Sequence, residues 1–429
     1  IDSLLDRDAV VVARAAMSLS PCFSRRLVLS HVASHRARIA DMSTVLERTG
    51  IKQVGLFIDG KEVPSASGET FEVLNPTDNS VLAEVAKGTR EDVDRAVAAA
   101  RKAYEGAWSK MKTAERSAVL SKVAQRIVER APELAALESS DVGKPLKESR
   151  VEMPRASLNF RFFAELITKL NNESAPVDSD FLNYHQRRPI GVAALITPWN
   201  FPFMLTTWKA GPCLAAGNTC VIKPASVAPM TPLLLGEICA EAGLPEGVLN
   251  IVAGPGPVVG TRLAEHPDVK LISFTGETVT GQTIMTTASQ TLKRLSFELG
   301  GKSANIVFAD ATWDEALAGS IRAIYSNQGE VCLAGSRLLV EDAIYDRFLA
   351  DFIDRASKLK IGNPLQEDTD LGPLVSAEHL QRVRGYLDIA AGEGAKIVYG
   401  GRTPAGWEQG NFLEPTVIAG VDNKMRCAQ

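Results

Sequence analysis

The sequence predicts an α/β fold, a doubly wound parallel sheet followed by a second α/β domain, on three observations. From residue 191 onward short apolar runs recur between helix-length amphipathic patterns. The runs are strand-sized and nearly free of charge, as strands buried on both faces are. After Gly301 the alternation resumes as a second series. Strands alternating with helices imply right-handed crossovers, which cover a parallel sheet on both faces. A chain of 429 residues also exceeds one compact core and should divide into two or three domains.

Taken in order, residues 1–53 are expected to form an atypical extension outside the fold. Residues 9–40 contain no Asp or Glu but carry Arg14, Arg25, Arg26, Arg36 and Arg38 among several serines. That composition resembles a transit peptide. In-frame upstream sequence with Met42 as the true start is the favoured reading, because patterned sequence settles only near Val54. Between Leu56 and Asn75, short alternating segments punctuated by Asp59-Gly60 and Asn75-Pro76 predict a hairpin-like start. Thr89 and Asp92 make a capping-box pattern ahead of "VDRAVAAARKAYEG", and amphipathic periodicity continues over 114–138 and 146–170.

The first series of strands is "GVAALI", "NTCVIK", "GVLNIVAG" and "VKLISFTG", with another strand ending at Glu298. The second is "ANIVFA", a helix over 313–326, "SRLLVE" and a helix over 343–358. Domain limits are accordingly placed at 54–298, with 171–189 as a bridging segment, and at 299–429.

Composition excludes several classes. Hydrophobic content of 45%, charged content of 23% and a net charge of −4 are those of a soluble globular protein, so neither disorder nor a nucleic-acid partner is indicated. No apolar run approaches the roughly 20 residues that span a bilayer, so no membrane partner is expected. Six cysteines without a CxxC pair fit a reducing compartment and a cytoplasmic protein. Five scattered histidines without HExxH or zinc-type spacing predict no metal site.

In a doubly wound sheet the chemistry lies in loops beyond the carboxyl ends of the strands. Here the first strand runs into "TPWNFP", whose prolines and Trp199 make a rigid bend presenting the Asn200 amide. The second ends in Lys223-Pro224, a cation at a strand terminus. The third ends in "GPGPVVG", where glycines allow close backbone approach and a helix start offers unpaired N–H groups to a phosphate. Its third glycine is displaced by one position from GxGxxG, so the standard Rossmann dinucleotide mode is not expected. The fourth ends in "FTGETVTG", a second glycine-opened helix start. Any one of these is as often plain turn chemistry; their ordered recurrence points to a nucleotide.

Glu298, before Gly300-Gly301, reads either as a surface charge at a strand end or as a general base facing a cleft. Cys213, Cys220 and Cys239 sit in apolar patterns and read as small core residues. Cys332 differs: it lies in "SNQGEVCLAG", where a loop entering a helix supplies access and N–H dipoles for a thiolate, and Glu298 offers the base.

These residues resemble the NAD(P)+-dependent aldehyde dehydrogenases, through "ITPWNFP", "FTGE", "FELGGKS" and "GEVCLAGSR" in the family's order, from about Phe57 to the end of the chain. The resemblance implies the aldehyde dehydrogenase-like fold, with a dinucleotide-binding domain and a catalytic domain. It implies Cys332 as nucleophile, Asn200 with the Cys332 N–H as oxyanion hole, Glu298 as the base that activates water, and Lys209 as a further catalytic position. The cofactor positions it implies are Ile196, Thr197, Pro198, Trp199, Lys223, Ser226, Gly256, Phe274, Thr275, Gly276, Glu277 and Leu299. Ser226 stands where many NAD-preferring members carry an acid, and Glu277 replaces a common Ser, so NAD is implied, with NADP possible.

The family continues past "MRCAQ" with a Glu-Glu-Ile-Phe-Gly-Pro-like segment, so a C-terminally truncated chain is expected, and a homodimer or homotetramer is implied for the full-length family. "FTGETVTG", "LKRLSFELGGKS" and "PRASLNFRFFAE" most resemble hydroxymuconic and aminomuconic semialdehyde dehydrogenases of aromatic ring cleavage. Their substrates carry a carboxylate, for which Arg150 is the candidate bidentate partner. Competing readings are a nucleotide-binding but catalytically impaired fragment, an aldehyde dehydrogenase of broader range, and a cysteine hydrolase with His266 or His379 as its imidazole.

Overall fold

The computed structural model describes residues 52–178 and 180–429. Apart from residues 52 and 53, the expected extension therefore lies outside the described residues, as do Met42 and the basic segment before it. The chain enters through β1 (Lys52–Val54), the hairpin of β2 (Leu56–Ile58) and β3 (Lys61–Val63), and the pair β4 (Thr70–Leu74) and β5 (Val81–Ala86). Residues 52 and 53, assigned from sequence to the extension, belong to the fold: β1 pairs in parallel with β5 in a sheet ordered β1-β5-β4.

Helix α1 (Arg90–Ala103) starts at the predicted capping box, with the Thr89 hydroxyl accepting the Asp92 N–H and the Asp92 carboxylate accepting the Thr89 N–H. The periodicity over 114–138 is two helices rather than one, α2 (Thr113–Glu129) and α3 (Ala131–Val142). The break falls at Arg130 because Pro132, in the first turn of α3, cannot continue a helix from the preceding residues. Gly143 ends α3 in the left-handed region at φ +79°, and α4 (Leu146–Leu166) follows, with Pro154 inside it depriving the Arg150 carbonyl of its helical donor. The exposed ribbon of β6 (Glu173–Ala175) and β7 (Asn183–His185) comes next.

The main sheet then builds from β8 (Val192–Ile196), α5 (Pro202–Ala215), β9 (Thr219–Lys223), α6 (Met230–Glu241) and β10 (Leu249–Ile251). A π-helical turn over Gly256–Gly260 leads into α7 (Thr261–Glu265), β11 (Val269–Gly276), α8 (Thr278–Ser289) and β12 (Arg294–Leu299). Strand order is β12-β11-β8-β9-β10-β2-β3, all parallel from β12 to β10, with the β2–β3 hairpin closing one edge antiparallel. Every residue of β8 and β9 is buried, as the apolar runs predict, Lys223 at the end of β9 included. Burying each large apolar side chain of this core, such as Leu195 or Phe203, stabilises by about 1.5–3 kcal/mol. The chain steps outward from β8 to β10 and then returns to β11 on the other side of β8. That reversal creates a crevice beyond the carboxyl ends of β8 and β11, where ligands bind in such sheets.

The second series is a two-stranded parallel sheet of β13 (Ala304–Val307) and β14 (Arg337–Val340), with α9 (Trp313–Tyr325) and α10 (Tyr345–Ser357). Val307, Leu317, Phe348 and Phe352 form a hydrophobic cluster separate from that of the main sheet. Helix α11 (Ala377–Gly392) and the antiparallel pair β15 (Lys396–Tyr399) and β16 (Val417–Ala419) complete it. The segment over 361–375 straps onto the α3–α4 corner: Leu146 N–H donates to the Pro364 carbonyl, Lys147 pairs with Asp370, and a Cβ on Gly372 would overlap the Gly143 carbonyl. No helix among the described residues is long and apolar enough to cross a membrane.

Candidate active site

Beyond β8, the Thr197 N–H donates to the Lys223 carbonyl at 3.0 Å, which joins the ends of β8 and β9. Ile196 and Thr197 are buried, and Pro198, Trp199 and Asn200 are half-buried. Trp199 packs on Val142, Ala228 and Val375, with its ring 4.8 Å from that of His379. Pro202 then opens α5 at a position where its missing N–H costs no helical bond.

The Asn200 side chain donates from Nδ2 to the Glu330 carbonyl at 2.8 Å. Asn327 closes the group by donating from Nδ2 to the Asn200 carbonyl at 3.0 Å and to the Glu330 carbonyl at 3.4 Å. Asn200 is thereby tied to a residue two before Cys332, which is exposed in a turn.

The backbone leading to that turn is strained. Asn327, Gln328 and Gly329 lie in the left-handed region at φ +46°, +56° and +82°. Glycine and asparagine adopt it readily, but for Gln328 it costs about 1–2 kcal/mol. Tertiary contacts hold it: the Asn327 N–H donates to Glu148 Oε2 at 2.9 Å, and Gln328 Nε2 to the Pro373 carbonyl at 3.0 Å.

Glu330 is the residue that sequence reasoning missed. Burial pushes its carboxyl up to about 8, against the Val375 N–H, which donates to Oε1 at 3.0 Å, and the Lys144 charge. Its Oε2 is buried without a partner among the described residues. The signal available in the sequence was a carboxylate placed between glycine and a β-branched residue in "GEVC".

Glu298 and Lys209 meet elsewhere. They line a cavity of about 370 Å³ together with Trp208, Ser273 and Ser296; Asn200 and Cys332 are not among its walls. Lys209, on α5, donates to Ser273 Oγ at 2.9 Å, and burial pushes its pKa down to about 8 against the pull of Glu298. Glu298 itself is exposed near the end of β12.

The expected cofactor residues border the strand ends. Lys223 is buried with Nζ donating to the Pro224 carbonyl at 2.8 Å, and burial pushes it down to about 8. Ser226 Oγ donates to the Gly254 carbonyl at 2.8 Å, so the hydroxyl ties the loop after β9 to that after β10. Among the described residues, nothing lies within 4 Å of where a Cβ on Gly256 would be, and Thr275 Oγ1 is buried without a partner. Gly276 leaves no room for a side chain, because a Cβ would lie 2.6 Å from the Phe274 ring. Glu277 precedes α8, with one carboxylate oxygen 3.9 Å from Arg382, and Leu299 lies against Gly281.

Three further candidates are placed as follows. Arg150 pairs with Glu367 at 2.5 Å through Nη1 and is otherwise about one-third exposed. His379 Nε2 lies 3.6 Å from Glu330 Oε1, and burial, reinforced by Arg382, lowers its pKa. His266 instead contacts Asp94 and the Asp268 N–H. Cys220 and Cys239 are buried, as the apolar patterns predict, while Cys213 is only partly so.

The profile described as "Aldehyde dehydrogenase family" matches residues 63–429. The chain is 43% identical over 385 residues to 5-carboxymethyl-2-hydroxymuconate semialdehyde dehydrogenase of Escherichia coli, covering 88% of this chain and 81% of the relative. It is 45% identical over 380 residues to 2-hydroxymuconic semialdehyde dehydrogenase of Pseudomonas sp. strain CF600, covering 86% and 78%. Among solved structures, the NAD+ complex of an aldehyde dehydrogenase from Bacillus cereus superposes with a TM-score of 0.87 at 38% identity, covering 91% of this chain and 78% of that one.

Proposed function

The chain belongs to the aldehyde dehydrogenase family, and from that premise we propose that it oxidises a carboxylate-bearing semialdehyde to the acid with NAD+. The observation that carries the reading is the Asn200 amide held against the Glu330 carbonyl, two residues before Cys332, in the crevice beyond β8.

In this proposal the Cys332 sulfur bonds to the aldehyde carbon. The oxygen takes up the negative charge and is received by the second N–H of Asn200 and by the Cys332 N–H, donors fixed before the charge develops. Bound at the strand ends, NAD+ would accept the hydride that leaves this carbon, and a thioester on Cys332 remains. Glu298 takes a proton from water, whose oxygen attacks the thioester; the C–S bond breaks, the acid departs and the thiolate is restored. Lys209, beside Glu298 in their shared cavity, balances the charge of that base.

The residues proposed to hold the cofactor are Ile196, Thr197, Pro198, Trp199, Lys223, Ser226, Gly256, Phe274, Thr275, Gly276, Glu277 and Leu299. Ser226 carries no charge to repel a 2′-phosphate, so NADP is the second cofactor to assay. Residues 54–298 would carry the nucleotide and 299–429 the cysteine. Arg150, with its guanidinium only partly engaged by Glu367, is proposed to bind the substrate carboxylate. We further propose a homo-oligomer that uses the exposed ribbon of β6 and β7 within 171–189, and a cytoplasmic site of action, in keeping with the free cysteines.

The test is to mix the purified chain with NAD+ and 2-hydroxymuconic semialdehyde and follow NADH absorbance. Steady NADH formation that C332A abolishes is expected. Undiminished turnover in C332A sinks the reading. Binding of NAD+ without turnover selects a nucleotide-binding chain that does no chemistry, and ester hydrolysis without cofactor would favour a cysteine hydrolase.

A further inference from the structure

We infer that Glu330 is a positioning residue for the proposed reaction: its main-chain carbonyl aims the Asn200 amide, and its side chain anchors the cysteine turn to the strap before α11. The inference rests on the proposed aldehyde oxidation and deepens it.

The geometry comes first. An asparagine amide has two faces of opposite polarity, and only the NH2 face serves an oxyanion. With one Nδ2 hydrogen held by the Glu330 carbonyl, the amide cannot turn its oxygen toward the substrate without losing that bond. The carbonyl is itself steadied by Asn327, on the strained left-handed run that precedes it. Glu330 thus joins three segments: the loop after β8 through its carbonyl, the 327–329 run through Asn327, and the strap through the Val375 N–H.

The chemistry of the side chain follows from what faces it. From the α3–α4 corner comes Lys144, already clasped by Glu138 and Glu152. From α4 comes Glu148, which accepts the Asn327 N–H. From α11 comes His379, 3.6 Å away and disfavoured as a cation by burial and by Arg382. None of these gives Glu330 a dedicated positive partner. Among the described residues, Asn327 Oδ1, Gln328 Oε1 and Glu330 Oε2 are buried acceptors without donors. The neutral acid, which carries its own donor proton, suits this neighbourhood better than the carboxylate does. Burial accordingly keeps the group protonated up to about pH 8. Ionisation would place an unpaired charge beside the cysteine turn and loosen it.

The experiment compares the full chain with E330Q and E330A, using NAD+ and 2-hydroxymuconic semialdehyde from about pH 6 to about pH 10, with circular dichroism to confirm folding. At neutral pH E330A is expected to lose on the order of 10²-fold in kcat with KM little changed. E330Q, whose amide stands in for the neutral acid, should restore kcat. The wild-type activity should fall through pH 8, and E330Q should lack that limb. A limb that persists in E330Q belongs to Lys209 or Lys223 and overturns the inference, as does equal kcat in wild type and E330A. If E330A does not fold, the pH profile of E330Q decides alone. Should the wild type bind NAD+ but not turn over, the proposed reaction has failed, and iodoacetamide alkylation of Cys332 judges Glu330 separately. The ratio of wild-type to E330Q alkylation rates is expected to change through pH 8; a constant ratio overturns the inference.

Discussion

The Asn200 side chain and the Glu330 main chain, 130 residues apart in sequence, meet in a hydrogen bond of 2.8 Å. Since that bond fixes which face of the amide is presented, its loss should act on the reacting oxygen rather than on folding. N200A is expected to lower kcat on the order of 10²–10³-fold, the worth of one oxyanion donor. Steady-state NADH formation together with a thermal melt checks this: unchanged kcat at unchanged Tm would remove Asn200 from the reaction.

Glu298 and Lys209 share a cavity, and in the proposed reaction Glu298 activates the water that attacks the thioester. In E298Q the first half-reaction should survive and the second should stall. Rapid mixing with NAD+ and aldehyde is expected to show a burst of about one NADH per active site, followed by turnover reduced on the order of 10²–10⁴-fold. A lag or an undiminished steady rate would contradict this order of events.

Lys223 is a buried cation whose Nζ donates to the Pro224 carbonyl, with its pKa pushed by burial from 10.5 down to about 8. A depressed folded pKa means that the unfolded chain binds the proton more tightly. The resulting cost to the fold is complete below pH 8 and is released between pH 8 and 10.5. K223M is therefore expected to stabilise the chain at pH 7 by up to about 3 kcal/mol, less the lost hydrogen bond, with the gain shrinking as pH rises through that window. It should weaken NAD+ binding at the same time. Urea unfolding at several pH values and a cofactor titration check both halves.

Arg150 offers the substrate a guanidinium that is already balanced by Glu367. R150A is expected to raise KM for 2-hydroxymuconic semialdehyde on the order of tenfold or more, the worth of one charge-assisted hydrogen bond. Oxidation of benzaldehyde, which lacks a carboxylate, should be unaffected. Parallel changes for both substrates would assign Arg150 to holding the strap on α4 instead.

Much of this was legible in the sequence. The buried strands β8 and β9 announce themselves as apolar runs, with Lys223 as the one charge at the end of β9, and the capping box at Thr89 and Asp92 forms as its residue types require. The break at Arg130 escaped because the apolar periodicity runs through it, and only Pro132 marks the restart. The hairpin-like start expected at Asp59-Gly60 is the β2–β3 pair, but its place at the edge of the main sheet was not legible, because three-residue strands hold little pattern. Glu330 escaped for a different reason. Its burial and the left-handed backbone before it are imposed by Glu148, Pro373 and Val375, which are remote in sequence. A propensity reading of the loop sees a glycine and a charge, and places both at the surface.

At the α3–α4 corner Gly143 passes so close to Gly372 and Pro373 that neither glycine tolerates a side chain. Most seams between packed layers can drift as neighbouring residues swap size, each change absorbed by a small slide. This one has no such slack: the distance from the helices to the strap bearing Val375 is set by peptide touching peptide. Reshaping the cysteine turn from that side therefore means moving both backbones at the crossing together.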